Sequence, residues 1–286
     1  MKLLSSKAIV ADRKTRLVQS ISTLKLDGLK PRLAAIVRSN DAAAQSYVAV
    51  KRKHANEIGV DFESVDLSGV SSENDAARSI RALCARPDVH GAILVMSSQP
   101  QTDELDLANV IPAEKDVDGL SAANLGALMQ HSAKQRFVPP ATPQACMALA
   151  ASVTEIAGKR VALIGRGRTV GRPLANMLIN AGATVTVCHS KTKDIPQVTR
   201  EAEIVFVATG RPKGFGKEYF RAGQIVVDAG IGFIDGKLFG DVDSASLEDV
   251  DLTLTPVPGG VGPLTSVLIL ENLLRLIENG RDNGGR

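Results

Sequence analysis

VALIGRGRTVGRP, residues 161–173, sets a short apolar run directly against a turn carrying Gly165, Gly167 and Gly171. An apolar run of this length reads as a buried strand, and the residues after the last glycine read as a helix over roughly 171–181, stopped by Gly182. A second strand follows at 184–188 (TVTVC), with further strands expected at 203–208 (EIVFVA) and 225–229 (IVVDA). Strand, glycine turn, helix and strand in that order form a dinucleotide-binding unit. The glycines let the backbone turn tightly and approach a pyrophosphate seated on the helix N-terminus. The spacing is one residue longer than the usual GxGxxG, so the turn carries weight through its flanking elements rather than alone.

The end of the second strand separates the two nicotinamide cofactors. Enzymes that use NAD place a carboxylate near this point to hold the ribose 2′-hydroxyl. Here the residues run Cys188, His189, Ser190, Lys191, Thr192, Lys193, and the first carboxylate is Asp194. A hydroxyl and two lysines, with Arg166 in the glycine turn, suit a 2′-phosphate. NADP is the expected cofactor.

A second strand–helix alternation precedes this one. Residues 32–38 (RLAAIVR) and 91–96 (GAILVM) read as strands. Residues 44–58, ended by Gly59, and 74–85, capped near Asn74 or Asp75, read as helices. Between the two alternations, 136–145 (RFVPPATPQA) holds three prolines, and the expectation is an extended connector. Residues 265–278 read as an amphipathic helix, and the polar, glycine-rich tail after it is expected to fray. The fold class is α/β, with two α/β domains and the second of Rossmann type.

Composition narrows the function classes. The chain has 286 residues, 44% hydrophobic and 23% charged, which is ordinary for a globular protein of two domains. Aromatics are only 3% with no Trp, so Val, Ile, Leu and Ala must build the core. A net charge of +3 is spread thinly, with no basic block and few rings to stack on bases, so no nucleic-acid partner is expected. Cys84, Cys146 and Cys188 are an odd number without metal spacing and read as buried thiols. No apolar run reaches membrane-spanning length and MKLLSSKAIVADRK does not read as a leader, so no membrane partner is expected and the location is expected to be cytoplasmic.

Three further segments bear on chemistry. Tyr47 and Lys51 are four apart on one expected helix and share a face. Desolvation beside a ring would make the lysine a better acid/base. Asp116 and Asp118 lie in PAEKDVDGL (112–120), where paired carboxylates suit a heterocycle's amino and ring N–H groups, or equally a capping turn. TPVPGGVGP (255–263) has three prolines and three glycines in nine residues and reads as a rigid loop exposing its backbone to a flat ring.

Taken in order, YVAVK (47–51), PAEKDVDGL, GRGRTVGRP (165–173) and TPVPGGVGP resemble the signature segments of the bifunctional methylenetetrahydrofolate dehydrogenase/cyclohydrolase family, often called FolD. The resemblance runs from about residue 5 to residue 278. It implies a folate-binding catalytic domain over 1–141 plus 265–286, an NADP-binding domain over 142–264, and a cleft flanked by the two. It implies oxidation of methylenetetrahydrofolate with NADP, then hydrolysis to 10-formyltetrahydrofolate, a one-carbon step linked to purine biosynthesis, in a homodimer. Tyr47 matches the family's ring-stacking residue, Lys51 its catalytic lysine and Asp118 its pterin-holding carboxylate. Pro258, Gly259 and Gly260 match its folate loop. Gly165, Arg166, Gly167 and Ser190 match cofactor-phosphate contacts, and Ile231 a backbone contact to the nicotinamide side.

The sequence departs from the family in places. Met96 stands where a Gln normally contacts the catalytic lysine, within Val95-Met96-Ser97-Ser98-Gln99-Pro100, and a thioether cannot donate the same bond. Gln99 is a candidate substitute. Ala141 and Ala145 replace a Cys and a Gly, and Gly167 replaces a common Ser. The Met96 departure bears on hydrolysis more than on oxidation, which leaves a dehydrogenase lacking the hydrolytic step as the alternative. Another two-domain NADP enzyme, of shikimate-dehydrogenase type, and a non-catalytic NADP sensor are more distant readings.

Overall fold

A computed structural model describes residues 1–39, 41–96, 106–131 and 137–284, with the side chains of 42, 43 and 282–284 outside the description. Gln99 lies outside the described residues. The chain divides into two units, one made of Met1–Val10 and Thr142–Thr265, the other of Ala11–Ala141 and Ser266–Arg286.

The first of these units is built on parallel strands. In chain order the strands of both units, among the described residues, are β1 (Lys2–Leu3), β2 (Arg32–Val37), β3 (Asp61–Asp66), β4 (Gly91–Val95), β5 (Arg160–Ile164), β6 (Thr184–Cys188), β7 (Ile204–Val207), β8 (Ile225–Asp228), β9 (Gly232–Ile234), β10 (Lys237–Phe239) and β11 (Thr253–Leu254), with β9 and β10 an antiparallel pair. Six of them form one sheet in the order β1-β11-β8-β7-β5-β6, every pair parallel. Strand order therefore reverses at β5, whose neighbours β6 and β7 both follow it in the chain. In open α/β sheets a ligand crevice forms outside the carboxyl ends of the strands at such a switch point. Val161–Ile164, Ile204–Val207 and Val226–Asp228 are buried, as expected for strands covered on both faces.

The other unit holds a three-stranded parallel sheet in the order β3-β2-β4. Its helices are α1 (Lys7–Leu26), α2 (Ala42–Ile58), α3 (Glu73–Ala85) and α4 (Ala122–Gln130). The remaining helices of the described residues are α5 (Ala141–Ala151), α6 (Gly171–Asn180), α7 (Ile195–Glu201) and α8 (Val261–Gly284). Helix α1 begins in one unit and continues in the other, as does α8.

Several expectations need correction. Residues 1–10 were grouped with the folate-binding segment, but β1 pairs in parallel with β11, Lys2 opposite Thr253 and Leu3 opposite Leu254, and so joins the six-stranded sheet. The segment 136–145 is not extended throughout. Helix α5 starts at Ala141 and Pro143 sits in its first turn, where a missing N–H costs no helical bond. Helix α8 starts at Val261, inside TPVPGGVGP, and runs to Gly284, so the tail is helical to that point. Ser72, not Asn74 or Asp75, caps α3 by accepting from the Asp75 N–H at 3.3 Å. The three cysteines are all buried, as expected.

Candidate active site

Helix α2 is held at both ends. Asp41 caps its N-terminus by accepting from the Ala44 N–H at 2.7 Å, and Gly59 ends it in the left-handed region. Its buried positions are Ala44, Val48, Lys51, Ala55 and Ile58, the i, i+4, i+7 stripe of a core-facing helix. Lys51 therefore occupies an apolar position and is only 4% exposed. Its ammonium stands 4.2 Å from the centre of the Tyr47 ring and donates to Ser266 Oγ at 2.9 Å.

Asp118 faces the same lysine from the turn after Val117. Burial lowers the Lys51 pKa from its usual 10.5, and the Asp118 carboxylate opposes that shift. Burial likewise raises Asp118, assisted by the negative charge of Asp116 and resisted by Lys51. Each group thus makes the other's charge tolerable in a place where neither would ionise freely alone.

The two aspartates of this turn differ in their hydrogen-bond partners. Asp116 is buried and accepts from the Gly119 N–H at 2.9 Å, the Ser121 N–H at 2.7 Å and Asn124 Nδ2 at 3.0 Å. It is the capping carboxylate. The Asp118 carbonyl accepts from the Ala141 N–H at 3.1 Å, whereas its carboxylate accepts no hydrogen bond among the described residues. Asn272, buried in α8, donates to the Val117 carbonyl at 2.9 Å and to the Pro139 carbonyl at 3.2 Å, which pins the turn in place.

The structure thus brings Tyr47, Lys51 and Asp118 together and adds Ser266, Asn272 and Asp116 to them. Ser266 and Asn272 were missed at the level of sequence. Their signal was weak: they are two of several polar residues in the mixed but largely apolar stretch 264–276, and only burial singles them out. Met96 packs against the apolar cluster that includes Ile36, Leu94 and Leu107.

The residues expected to meet the cofactor lie in the other unit. Register places Ile164 opposite Cys188 and Val207, and Val207 opposite Asp228, so four strands end level. Gly165–Gly167 follow the first of these ends, Ser190 the second and Ile231 the last. Gly165 has φ +116° and donates to the Cys188 carbonyl at 2.9 Å. A Cβ on it would come within 2.1 Å of the Ala208 carbonyl oxygen, and one on Gly171 within 2.4 Å of the Gly165 carbonyl oxygen. Only glycine lets this strand, turn and helix approach so closely. A Cβ on Gly167 would meet nothing within 4 Å, so the outer side of the turn is open backbone.

Arg166, Ser190, Lys191 and Lys193 are exposed along this edge. Asp194 is not available to a ribose, because it caps α7 by accepting from the Gln197 N–H at 3.1 Å. An open glycine turn beside basic groups fits a dinucleotide with a 2′-phosphate.

Two buried aspartates hold the neighbouring loops. Asp228 accepts from the N–H groups of Gly230 (2.9 Å), Asp241 (3.1 Å) and Val242 (2.9 Å). Asp241 accepts from Thr209 N (2.6 Å), Thr209 Oγ1 (2.9 Å) and Gly210 N (3.0 Å). Burial pushes Asp228 up to about 7 despite its backbone donors, and the Asp241 charge adds to the rise. These bonds fix the backbone that precedes the exposed Ile231.

Pro258, Gly259 and Gly260 also belong to this unit. The Gly259 carbonyl accepts from Ser6 N and Ser6 Oγ, both at 3.0 Å, so the segment just after β1 anchors the loop.

Comparison with known proteins is consistent along the whole chain. Residues 4–118 match the tetrahydrofolate dehydrogenase/cyclohydrolase catalytic domain, and residues 140–281 match the NAD(P)-binding domain of the same family. The bifunctional protein FolD 2 of Desulfitobacterium hafniense (strain Y51) is 38% identical over 283 residues, 99% of each chain. The crystal structure of the bifunctional FolD enzyme, methylenetetrahydrofolate dehydrogenase/cyclohydrolase, from Campylobacter jejuni superposes with a TM-score of 0.90. It is 36% identical and covers 98% of this chain and 99% of its own. The Trypanosoma brucei methylenetetrahydrofolate dehydrogenase-cyclohydrolase (FolD), solved with NADP cofactor and inhibitor, gives 0.88 at 31% identity and covers 98% of each chain. With both of its domain types matched in order, the chain belongs to the tetrahydrofolate dehydrogenase/cyclohydrolase family.

Proposed function

We propose that the chain oxidises methylenetetrahydrofolate to methenyltetrahydrofolate with NADP, then hydrolyses the product to 10-formyltetrahydrofolate, with Lys51 as the proton acceptor of the second step. The observation that carries the division of labour is the buried Lys51 amine, set against the Tyr47 ring, the Ser266 hydroxyl and the Asp118 carboxylate.

In the first step, bound NADP in its oxidised form accepts a hydride from the methylene carbon. The chain's own contribution is alignment, which alone can supply several kcal/mol of barrier lowering, about 7–11 at best. Tyr47 offers a flat face to the folate. Asp118 accepts from the pterin's amino and ring N–H groups. Pro258, Gly259 and Gly260 present backbone to the folate, and the Ile231 backbone meets the nicotinamide side. Gly165 and Gly167 admit the pyrophosphate, while Arg166 and Ser190 receive the 2′-phosphate.

In the second step, a water oxygen bonds to the methenyl carbon. One water proton passes to the Lys51 amine and from there to solvent. The carbon–nitrogen bond to one folate nitrogen then opens as the remaining hydroxyl proton is lost and that nitrogen gains a proton, which leaves the formyl group on the other. Water is a poor nucleophile until it sheds that proton, and a placed base is worth about 10²–10⁴-fold.

The lysine must be neutral to act, so enzymatic hydrolysis rises with pH as Lys51 loses its proton. Its midpoint lies below the 10.5 of an ordinary lysine, because burial lowers the Lys51 pKa more strongly than Asp118 raises it. Methenyltetrahydrofolate decay, corrected for the enzyme-free rate at each pH, checks this. A rate independent of pH across that range speaks against an amine base.

Arg166 sets cofactor choice. A hydrogen bond to a charged group contributes about 1.5–3 kcal/mol. Arg166→Gln is therefore expected to raise the KM for NADP about 10- to 100-fold while leaving that for NAD nearly unchanged. An equal rise for both cofactors would place Arg166 on the pyrophosphate instead.

The reading with hydrolysis lost through Met96 is not favoured, since Lys51 keeps a hydrogen-bond partner in Ser266. The same proposal includes a cytoplasmic homodimer joined through its cofactor units and a formyl product that serves purine biosynthesis. Among the described residues no helix is long and apolar enough to cross a membrane. Sedimentation of the purified protein tests the dimer.

A further inference from the structure

We infer that Ser266 is the positioning residue for Lys51 in the hydrolytic step, an inference that rests on the role of Lys51 given above. A lysine side chain has four rotatable carbon–carbon bonds and loses much entropy when one position is imposed. The Tyr47 ring confines the Lys51 amine but gives it little direction, because a ring face attracts charge without aiming an individual N–H. Asp118 acts through its charge and makes no hydrogen bond to Lys51. Directional restraint comes from Ser266 Oγ, which accepts from Nζ at 2.9 Å and is the amine's acceptor among the described residues.

The environment makes that bond consequential. Ser266 is 1% exposed and Lys51 4%, so water does not readily replace either partner. A neutral amine has two N–H donors and one lone pair. With one N–H committed to Ser266, the lone pair is turned away from the serine and left for the attacking water. When the amine becomes an ammonium, the same oxygen accepts a stronger, charge-assisted bond and helps hold the proton. Ser266 thus acts before and after proton transfer without touching the substrate.

Placement on α8 gives the serine its precision. The helix is tied through Asn272, whose side chain donates to the carbonyl of Val117, next to Asp118, and to that of Pro139. One helix therefore sets both the partner of Lys51 and the loop that carries Asp118. The titratable groups that face the amine are Tyr47 on its own helix, Asp118 on the turn and, one turn along α2, His54, whose charge is disfavoured first by burial and in smaller part by Lys51.

Ser266→Ala and Ser266→Thr test the assignment, with Lys51→Met as the reference. Both activities are measured on each full-length variant. In Ser266→Ala, hydrolysis is expected to fall about tenfold more than hydride transfer. Its pH midpoint is expected to move down, because the ammonium has lost an acceptor. Ser266→Thr keeps the hydroxyl and should restore both the rate and the midpoint. Equal loss of the two activities with an unmoved midpoint overturns the positioning role and leaves a packing role. Hydrolysis lost in Lys51→Met but unchanged in Ser266→Ala overturns Ser266 alone. Hydrolysis that survives Lys51→Met overturns the base assignment first, and the role of Ser266 with it.

Discussion

Lys51→Met is expected to abolish hydrolysis of methenyltetrahydrofolate, by about 10²–10⁴-fold, while leaving NADP-dependent oxidation readily measurable. The two steps ask different things of the protein. Hydride transfer needs two flat ring systems held in register, and the folate nitrogen lone pairs supply the push. Hydrolysis needs a group that takes a proton from water. Lys51 is suited to that task because it sits in the buried stripe of α2, where loss of hydration has weakened its hold on the proton. Methionine is close in length and apolar, so the stripe Ala44–Val48–Ala55–Ile58 should repack around it with little cost. Circular dichroism would confirm the fold, and the two activities are then read separately. Loss of both to the same extent, in a folded variant, contradicts the separation of roles.

Gly165→Ala should be the most damaging single methyl group in the cofactor unit. Two effects coincide at this position. The backbone has φ +116°, which side-chain-bearing residues rarely adopt, and the new Cβ would lie 2.1 Å from the Ala208 carbonyl oxygen. Strain of the first kind costs about 1–3 kcal/mol, and overpacking of the second kind adds about 1–3 kcal/mol. The expected result is a stability loss of about 3 kcal/mol or more in urea titrations, with an NADP KM raised beyond tenfold. Gly167→Ala provides the contrast. Its Cβ meets nothing within 4 Å, so stability should be unchanged while NADP binding weakens through crowding of the pyrophosphate. If both alanines prove harmless to stability, the close approach of turn and strand is not what the structure implies.

Much of the architecture was legible because parallel strands buried on both faces leave continuous apolar runs. VALI at 161–164, GAILV at 91–95 and LAAIV at 33–37 announce themselves in this way. The edge strand β3, DFESVD, does not, since an edge exposes its polar residues and loses the apolar run. Strand β1 is only two residues long, and its partner Thr253–Leu254 lies some 250 positions away, so no local pattern reports the pairing. Pro143 pointed to an extended connector, whereas proline in the first turn of α5 is compatible with a helix start. The Asp235-Gly236 pair of the β9–β10 hairpin was a readable turn, both residues adopting positive φ.

The candidate site was legible to the extent that its chemistry follows from residue type. Tyr47 and Lys51 could be paired by their spacing, and Asp118 could be nominated with Asp116. Distinguishing the two aspartates needed the donors around them, because both have the same side chain and only Asp116 is surrounded by N–H groups. Ser266 lies 215 positions from Lys51 in sequence, and only the packing of α8 brings them together. Met96, which suggested a missing partner for the lysine, instead fills apolar space.

The central claim is that one polypeptide couples NADP-dependent oxidation of methylenetetrahydrofolate to hydrolysis of the methenyl product. Supplying the purified protein with methylenetetrahydrofolate and NADP, and following reduced cofactor and 10-formyltetrahydrofolate together, tests it directly. The account predicts that both products appear, that methenyltetrahydrofolate disappears faster than in buffer, and that NAD is a poorer substitute. Absence of reduced cofactor with either dinucleotide would contradict it.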